Sequence, residues 1–333
     1  METIGILGAG AWGTALAATA ARAGRRVVIQ AHEAEVADAI NRTHTNPFFL
    51  PDIPLDPAIG ATDDPLQAVA GADAVLVAVP AQHVRGVLTQ TAHVWRRGVP
   101  AVLCAKGVEH GTCALMSEVV ESAVPQATVA VLSGPSFAVE VARELPTAVT
   151  LACADERARE ILPQALGTTG FRIYSSDDVV GAELGGAVKN VLAIACGIVA
   201  GRGMGDNARA ALITRGLAEM ARLTVAMGGR PDTLMGLSGI GDLVLTCSAL
   251  QSRNFSLGDA LGRGERLADI LASRTSVAEG VFSAAAVTEM ARREGVSMPI
   301  CFAVDAVLNA GADLDETIAG LLARPFRPEG WAD

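Results

Sequence analysis

The run Gly181–Gly201 (GAELGGAVKNVLAIACGIVAG) is built largely from small and apolar residues and contains one lysine, Lys189. An apolar run continuing past ten residues reads as a buried helix rather than a strand, which places an ammonium group inside the protein. Desolvation disfavours the charged form and lowers a lysine pKa by up to ~3–5 unless a carboxylate or a ligand offsets it. Lys189 is therefore a candidate acid/base group, the alternative being a stem that snorkels to the surface. The uninterrupted apolar part, Val191–Gly201, is much shorter than the ~20 residues a membrane span requires, so no span is expected.

A second group of residues suited to chemistry lies at the start of the chain. Thr3–Leu7 reads as a strand that runs into Gly8-Ala9-Gly10-Ala11-Trp12-Gly13 and then an alanine-rich helix to about Ala23. The first glycine permits a tight turn, the second lets a pyrophosphate approach the backbone, and the third lets helix and strand pack closely. Free N–H groups and the helix dipole then favour phosphate. A second apolar strand, Arg26–Gln30, follows, and together these features point to dinucleotide binding. An NAD-selective site usually closes this second strand with an acid. Here the order is Ile29-Gln30-Ala31-His32-Glu33, so His32 either faces a 2′-phosphate or sits exposed, and NAD and NADP both remain open.

Buried strands at 73–79, 99–104 and 128–132 alternate with helical stretches, which implies a parallel, doubly wound sheet with its ligand beyond the carboxyl ends of the strands. Lys106 follows one such end. Ser133-Gly134-Pro135-Ser136-Phe137 closes another, where a turn and a helix start offer backbone N–H groups to an anion or simply begin a helix. Runs at 147–153 and 171–175 extend the sheet. From Asp178 on, helices dominate, at about 179–200, 206–228, 256–262, 266–273, 283–294, 299–310 and 314–324. Three polar stretches interrupt them: a glycine-rich turn, Gly236–Leu243, leading to Asp242; Gln251-Ser252-Arg253-Asn254, a donor set for phosphate or a helix cap; and Thr275–Gly280.

At 333 residues the chain exceeds the ~250–300 at which one core stops growing. The expected fold is α/β: a Rossmann-type dinucleotide-binding domain over 1–178, then an all-helical substrate-binding domain over 179–333. A formal net charge of −10 argues against nucleic acid, whose phosphates require a basic face. The six cysteines are scattered without metal-type spacing and read as reduced core residues, and no metal is expected. METIGILGAG enters a strand with no basic leader, so a cytoplasmic enzyme is expected.

The blocks GAGAWGTALA, AKGVE, LSGPSFA, ELGGAVKNVLAIACG, GIGDLVLTC, QSRN and VAEGV occur in an order and spacing that resemble bacterial-type NAD(P)-dependent glycerol-3-phosphate dehydrogenase over essentially the whole chain. The resemblance implies reversible hydride transfer between NAD(P)H and dihydroxyacetone phosphate, giving sn-glycerol 3-phosphate for phospholipid synthesis. It implies Lys189 as the acid/base, with Lys106 and Asp242 beside it. It also implies a substrate set of Lys106, Gly134, Ser136, Lys189, Asp242, Ser252, Arg253 and Asn254. The cofactor set it implies is Gly8, Gly10, Ala11, Trp12, Gly13, His32, Lys106, Ala138, Arg253, Val277 and Glu279, and members commonly pair as homodimers. Ala11 stands where many members have Ser, and Phe255 where another Arg commonly follows. A related small-hydroxyacid dehydrogenase and a non-catalytic dinucleotide sensor are the other readings of this architecture.

Overall fold

The computed structural model describes residues 1–273 and 279–326. Its contacts form two compact units: Met1–Ala105 with Ala114–Val179, and Lys106–Cys113 with the described residues from Val180 on. The short segment that carries Lys106 thus groups with the helices, where an unbroken 1–178 division would have kept it with the sheet.

In the first unit the strands β1 (Thr3–Leu7), β2 (Arg26–Gln30), β3 (Ile59–Thr62), β4 (Ala74–Val77), β5 (Pro100–Leu103), β6 (Thr128–Ser133), β7 (Thr147–Ala152) and β8 (Phe171–Ser176) form one sheet of order β3-β2-β1-β4-β5-β6-β7-β8. Apart from the first residues Thr3 and Pro100, β1, β4 and β5 consist of small and branched apolar residues that are buried, as strands covered on both faces must be. Register is set by pairs such as Ile6 with Ile29 and Ile6 with Leu76. Two features differ from the sequence reading. β3 was not expected, and β7 pairs antiparallel to β6, with Leu132 opposite Leu151. The connection from β6 carries only the five-residue helix Ala138–Ala142 and turns back at the end of the sheet it left, so the parallel order breaks there and resumes between β7 and β8.

The second unit is helical and is organised around Val179–Gly201, whose residues from Gly181 to Val199 are all buried. By length and composition this helix is sufficient to cross a membrane, but 89% of its most apolar window is buried inside the protein. Its small residues let a neighbour approach closely. A Cβ at Gly197 would lie 2.1 Å from the Phe255 carbonyl oxygen, and one at Gly258 would lie 2.0 Å from that of Ile194. The helix Arg253–Gly262 therefore packs backbone to backbone against the long helix. The stretch read as a glycine-rich turn is a single π-helical turn, Leu237–Gly241, that leads directly into the helix Asp242–Ser248.

Candidate active site

Lys189 sits midway along the long helix with its side chain 7% exposed, and its Nζ donates to Asp242 Oδ1 at 2.6 Å and to Thr246 Oγ1 at 2.9 Å. The second oxygen of the same carboxylate, Oδ2, accepts from Lys106 Nζ at 2.8 Å. Asp242 is 1% exposed and Lys106 16%. The backbone places these groups economically. Asp242 and Thr246 lie one turn apart on their helix and so share a face, and Asn190, next to Lys189, donates from Nδ2 to the Lys106 carbonyl at 3.0 Å. Two ammonium groups thus grip one buried carboxylate.

The electrostatics follow from that count. Burial pulls the Lys189 pKa down from 10.5 to about 8, against the attraction of Asp242 and with the repulsion of Lys106. Burial pushes the Asp242 carboxyl up, but the two lysines outweigh it and hold it below its ordinary value. The trio is therefore an ionised unit with a net positive charge near neutral pH. Its least exposed cation is poised to lose a proton in the range where a general acid works well.

The next helix carries the donor stretch. Ser252 Oγ accepts from the Phe255 amide at 3.2 Å, so Ser252 is the N-cap. Arg253 is exposed and Asn254 buried. Phe255, where family members commonly carry Arg, is 3% exposed and serves the packing against the long helix. Glu279 begins the helix Glu279–Arg293, while Val277 lies outside the described residues.

In the sheet unit the residues fit a dinucleotide. Gly8 has φ 101°, and a Cβ on Gly13 would lie 1.9 Å from the Gly8 carbonyl oxygen, so the turn closes only with glycine at both positions. Gly10 borders open space, with nothing within 4 Å of where its Cβ would be. The helix Ala11–Arg22 has no side chain capping its first N–H groups, which leaves Ala11, Trp12 and Gly13 free to bind phosphate through the backbone. Trp12 Nε1 and Ser133 Oγ are buried without a hydrogen-bond partner among the described residues. At the carboxyl end of β6, Gly134 takes φ 144° against Val149, Ser136 Oγ donates to the Gly134 carbonyl at 2.9 Å, and Ala138 opens a short helix. His32 is exposed just beyond β2.

The sequence model described as NAD-dependent glycerol-3-phosphate dehydrogenase N-terminus matches residues 3–159, and the one described as the C-terminus of the same enzyme matches 178–319. The chain belongs to the NAD-dependent glycerol-3-phosphate dehydrogenase family. It is 58% identical over 333 residues to the glycerol-3-phosphate dehydrogenase [NAD(P)+] of Rhodospirillum rubrum, covering 100% of this chain and 95% of that protein. To the enzyme of the same name from Parvibaculum lavamentivorans it is 59% identical, with 98% of each covered. The crystal structure of glycerol-3-phosphate dehydrogenase from Coxiella burnetii superposes with a TM-score of 0.93 at 39% identity, covering 97% of this chain and 99% of that one.

The two lysines and Asp242, which the sequence marks as candidates, are brought together by the fold. Neither Thr246 nor Asn190 has a role in the sequence reading. The spacing of Thr246, four residues after Asp242 on one helix, is the signal that marks it as a second partner for Lys189. Asn190 left no signal beyond adjacency to Lys189.

Proposed function

We propose that this family member reduces dihydroxyacetone phosphate to sn-glycerol 3-phosphate reversibly, with Lys189 as the acid/base at the C2 oxygen. The observation that carries the reading is the pair of lysines held on one buried carboxylate. The Gly8–Gly13 turn, with Trp12, His32, Ala138 and Glu279, would hold NAD or NADP. When bound, the nicotinamide supplies or accepts the hydride.

The chain's own residues would do the rest. As C2 is reduced its oxygen becomes an alkoxide, and Lys189, already an ammonium with a pKa near 8, stabilises the charge and gives up a proton. Asp242 keeps the lysine charged despite burial, Thr246 fixes the direction of its Nζ, and Asn190 anchors the Lys106 segment. In the oxidative direction the neutral amine takes the proton from the alcohol. Arg253 and Asn254, at the N-terminus of their helix, would bind the phosphate, and Gly134, Ser136 and Ser252 complete the substrate set. Binding energy spent far from C2 then fixes the geometry of transfer.

In this reading the enzyme works in the cytoplasm, supplies glycerol phosphate for phospholipid synthesis and pairs as a homodimer. Support for pairing comes from an apolar groove of about 640 Å³ on the helical unit, bordered by Ile198, Leu212, Val304, Ile318 and Leu321, with Leu322 74% exposed at its edge.

The test is Lys189→Met. Turnover with dihydroxyacetone phosphate, followed by loss of reduced-nicotinamide absorbance, is expected to fall by ~10²–10⁴-fold, while cofactor affinity measured by fluorescence titration stays near wild type. Near-normal turnover in a folded variant would overturn the assignment, and a wild-type enzyme that binds the cofactor but turns over no substrate would favour a sensor instead.

A further inference from the structure

Asn254 sits in the first turn of its helix, 7% exposed, and its Oδ1 accepts the backbone N–H of Gly280 at 3.0 Å. A backbone N–H can only donate, so the atom that meets it is the carboxamide oxygen, and this fixes which way the side chain is turned. The NH₂ group is left pointing away from Gly280 with no acceptor among the described residues.

Gly280 is the second residue of the helix Glu279–Arg293 and is itself buried. A Cβ there would lie 2.7 Å from Asn254 Oδ1, 2.8 Å from Ile194 Cδ1 and 2.9 Å from the Asn190 carbonyl oxygen. These neighbours bear on the site from two sides. Asn254 belongs to the donor stretch, and Asn190 directly follows Lys189 and holds the Lys106 carbonyl. Any side chain at 280 has to push one of them away. Real Cβ contacts do not fall below 3.0 Å, and two of the three nearest atoms are a backbone oxygen and the hydrogen-bonded amide oxygen.

We propose that Gly280 is a positioning residue for the substrate's phosphate group: its N–H pins the Asn254 carboxamide so that Nδ2 is presented as a phosphate donor, and its lack of a side chain permits the approach. The inference rests on the reading of Asn254 as a phosphate ligand. Gly280 acts through Asn254 and touches no substrate. A hydrogen bond to a charged group contributes enough that losing its alignment raises KM by ~10-fold or more, without a matching change in the chemistry at C2.

The experiment compares Gly280→Ala, Asn254→Ala, Asn254→Asp and the Gly280→Ala/Asn254→Ala double variant, with dihydroxyacetone phosphate and with unphosphorylated dihydroxyacetone. Gly280→Ala is expected to raise KM for the phosphorylated substrate ~10-fold or more, with kcat/KM for dihydroxyacetone and cofactor affinity within twofold of wild type. In the Asn254→Ala background most of that effect should vanish. Asn254→Asp retains an oxygen for the Gly280 N–H but replaces the donor with a repelling charge. It should lose the phosphorylated substrate, with a thermal melt confirming that it is folded, which keeps the test open if Gly280→Ala does not fold.

Equal losses on both substrates, or full additivity in the double variant, would show a structural role only and overturn the inference. If Asn254→Ala leaves KM unchanged, the phosphate reading of Asn254 fails and takes the inference with it. If Asn254→Ala raises KM and Gly280→Ala does not, the inference alone fails.

Discussion

Replacing Asp242 with asparagine removes one charge from the centre of the site and almost no volume. In the wild type both carboxylate oxygens accept from ammonium groups, at 2.6 Å from Lys189 and 2.8 Å from Lys106. The carboxamide retains one acceptor and turns an NH₂ toward the other lysine. An opposite charge in contact moves a neighbour's pKa by ~1–3, so the Lys189 pKa, about 8 in the wild type, is expected to fall to between ~5 and ~7. At pH ~7.5 the ammonium fraction then drops from roughly three quarters to between about one quarter and ~0.3%. Dihydroxyacetone phosphate reduction at that pH should slow by ~3-fold to ~200-fold through protonation alone.

The assay is kcat/KM for the reduction as a function of pH, read from nicotinamide absorbance. With Lys189 as the proposed acid, the wild-type rate is expected to fall as pH rises through about 8, as the acid form of Lys189 is consumed. In the variant the fall moves to lower pH, and acidification recovers part of the lost activity. Removing one partner of a buried ion pair also costs about 3–5 kcal/mol of stability, so the profile is taken well below the variant's melting temperature. An inflection that stays near 8 in Asp242→Asn, or a rate loss of equal size at every pH, would refute the argument that Asp242 sets the proton affinity of Lys189.

Two other expectations concern the helical unit. Glu219 is 2% exposed and accepts the amides of Ile300 and Cys301 at 2.8 and 3.2 Å, yet burial raises its pKa from 4.5 to about 7. The folded state therefore holds the proton more tightly than the unfolded state. The contribution of Glu219 to stability is most favourable below 4.5 and declines by about 3 kcal/mol as pH rises to about 7. Denaturant melts of wild type and Glu219→Gln should show the wild type's relative stability shrinking across that window, and a constant difference would contradict it. Leu212→Glu places a charge in the apolar groove and is expected to shift a dimer to monomer by light scattering, which a wild type that is itself monomeric would rule out.

The parts of the fold that the sequence declares are those where one residue type has a single physical use. A strand followed by Gly8, Gly10 and Gly13 reads correctly because Gly8 takes a positive φ and Gly13 meets a carbonyl where a Cβ would sit. Lys189 announces itself because a charge in an apolar run demands a partner, and the partner proved to be the acid 53 residues on. The misses have physical reasons too. β3, Ile-Gly-Ala-Thr, is four residues long at the sheet edge and owes its extension to pairing with β2. An apolar run carries no strand direction, so the antiparallel entry of β7 is invisible until its connection is seen. Gly236–Gly241 reads as a turn because glycines disfavour helix. The chain instead winds into a π-turn because Gly239 packs against the Leu234 backbone, 2.1 Å from its carbonyl oxygen to where a Cβ would be.

Burial is what would make Lys189 ready to give up its proton. Both lysines contact one carboxylate at nearly equal distance. The Lys189 side chain is 7% exposed, and burial is the largest influence on its pKa. A lysine buried without Asp242 would lose its proton at neutral pH and arrive at C2 with none to give. A lysine paired with an acid of its own would hold the proton too firmly. Sharing one carboxylate between two ammonium groups balances these effects. The pKa of Lys189 comes to about 8, and in the proposed mechanism the one net positive charge of the site would meet an anionic substrate and the alkoxide formed on it.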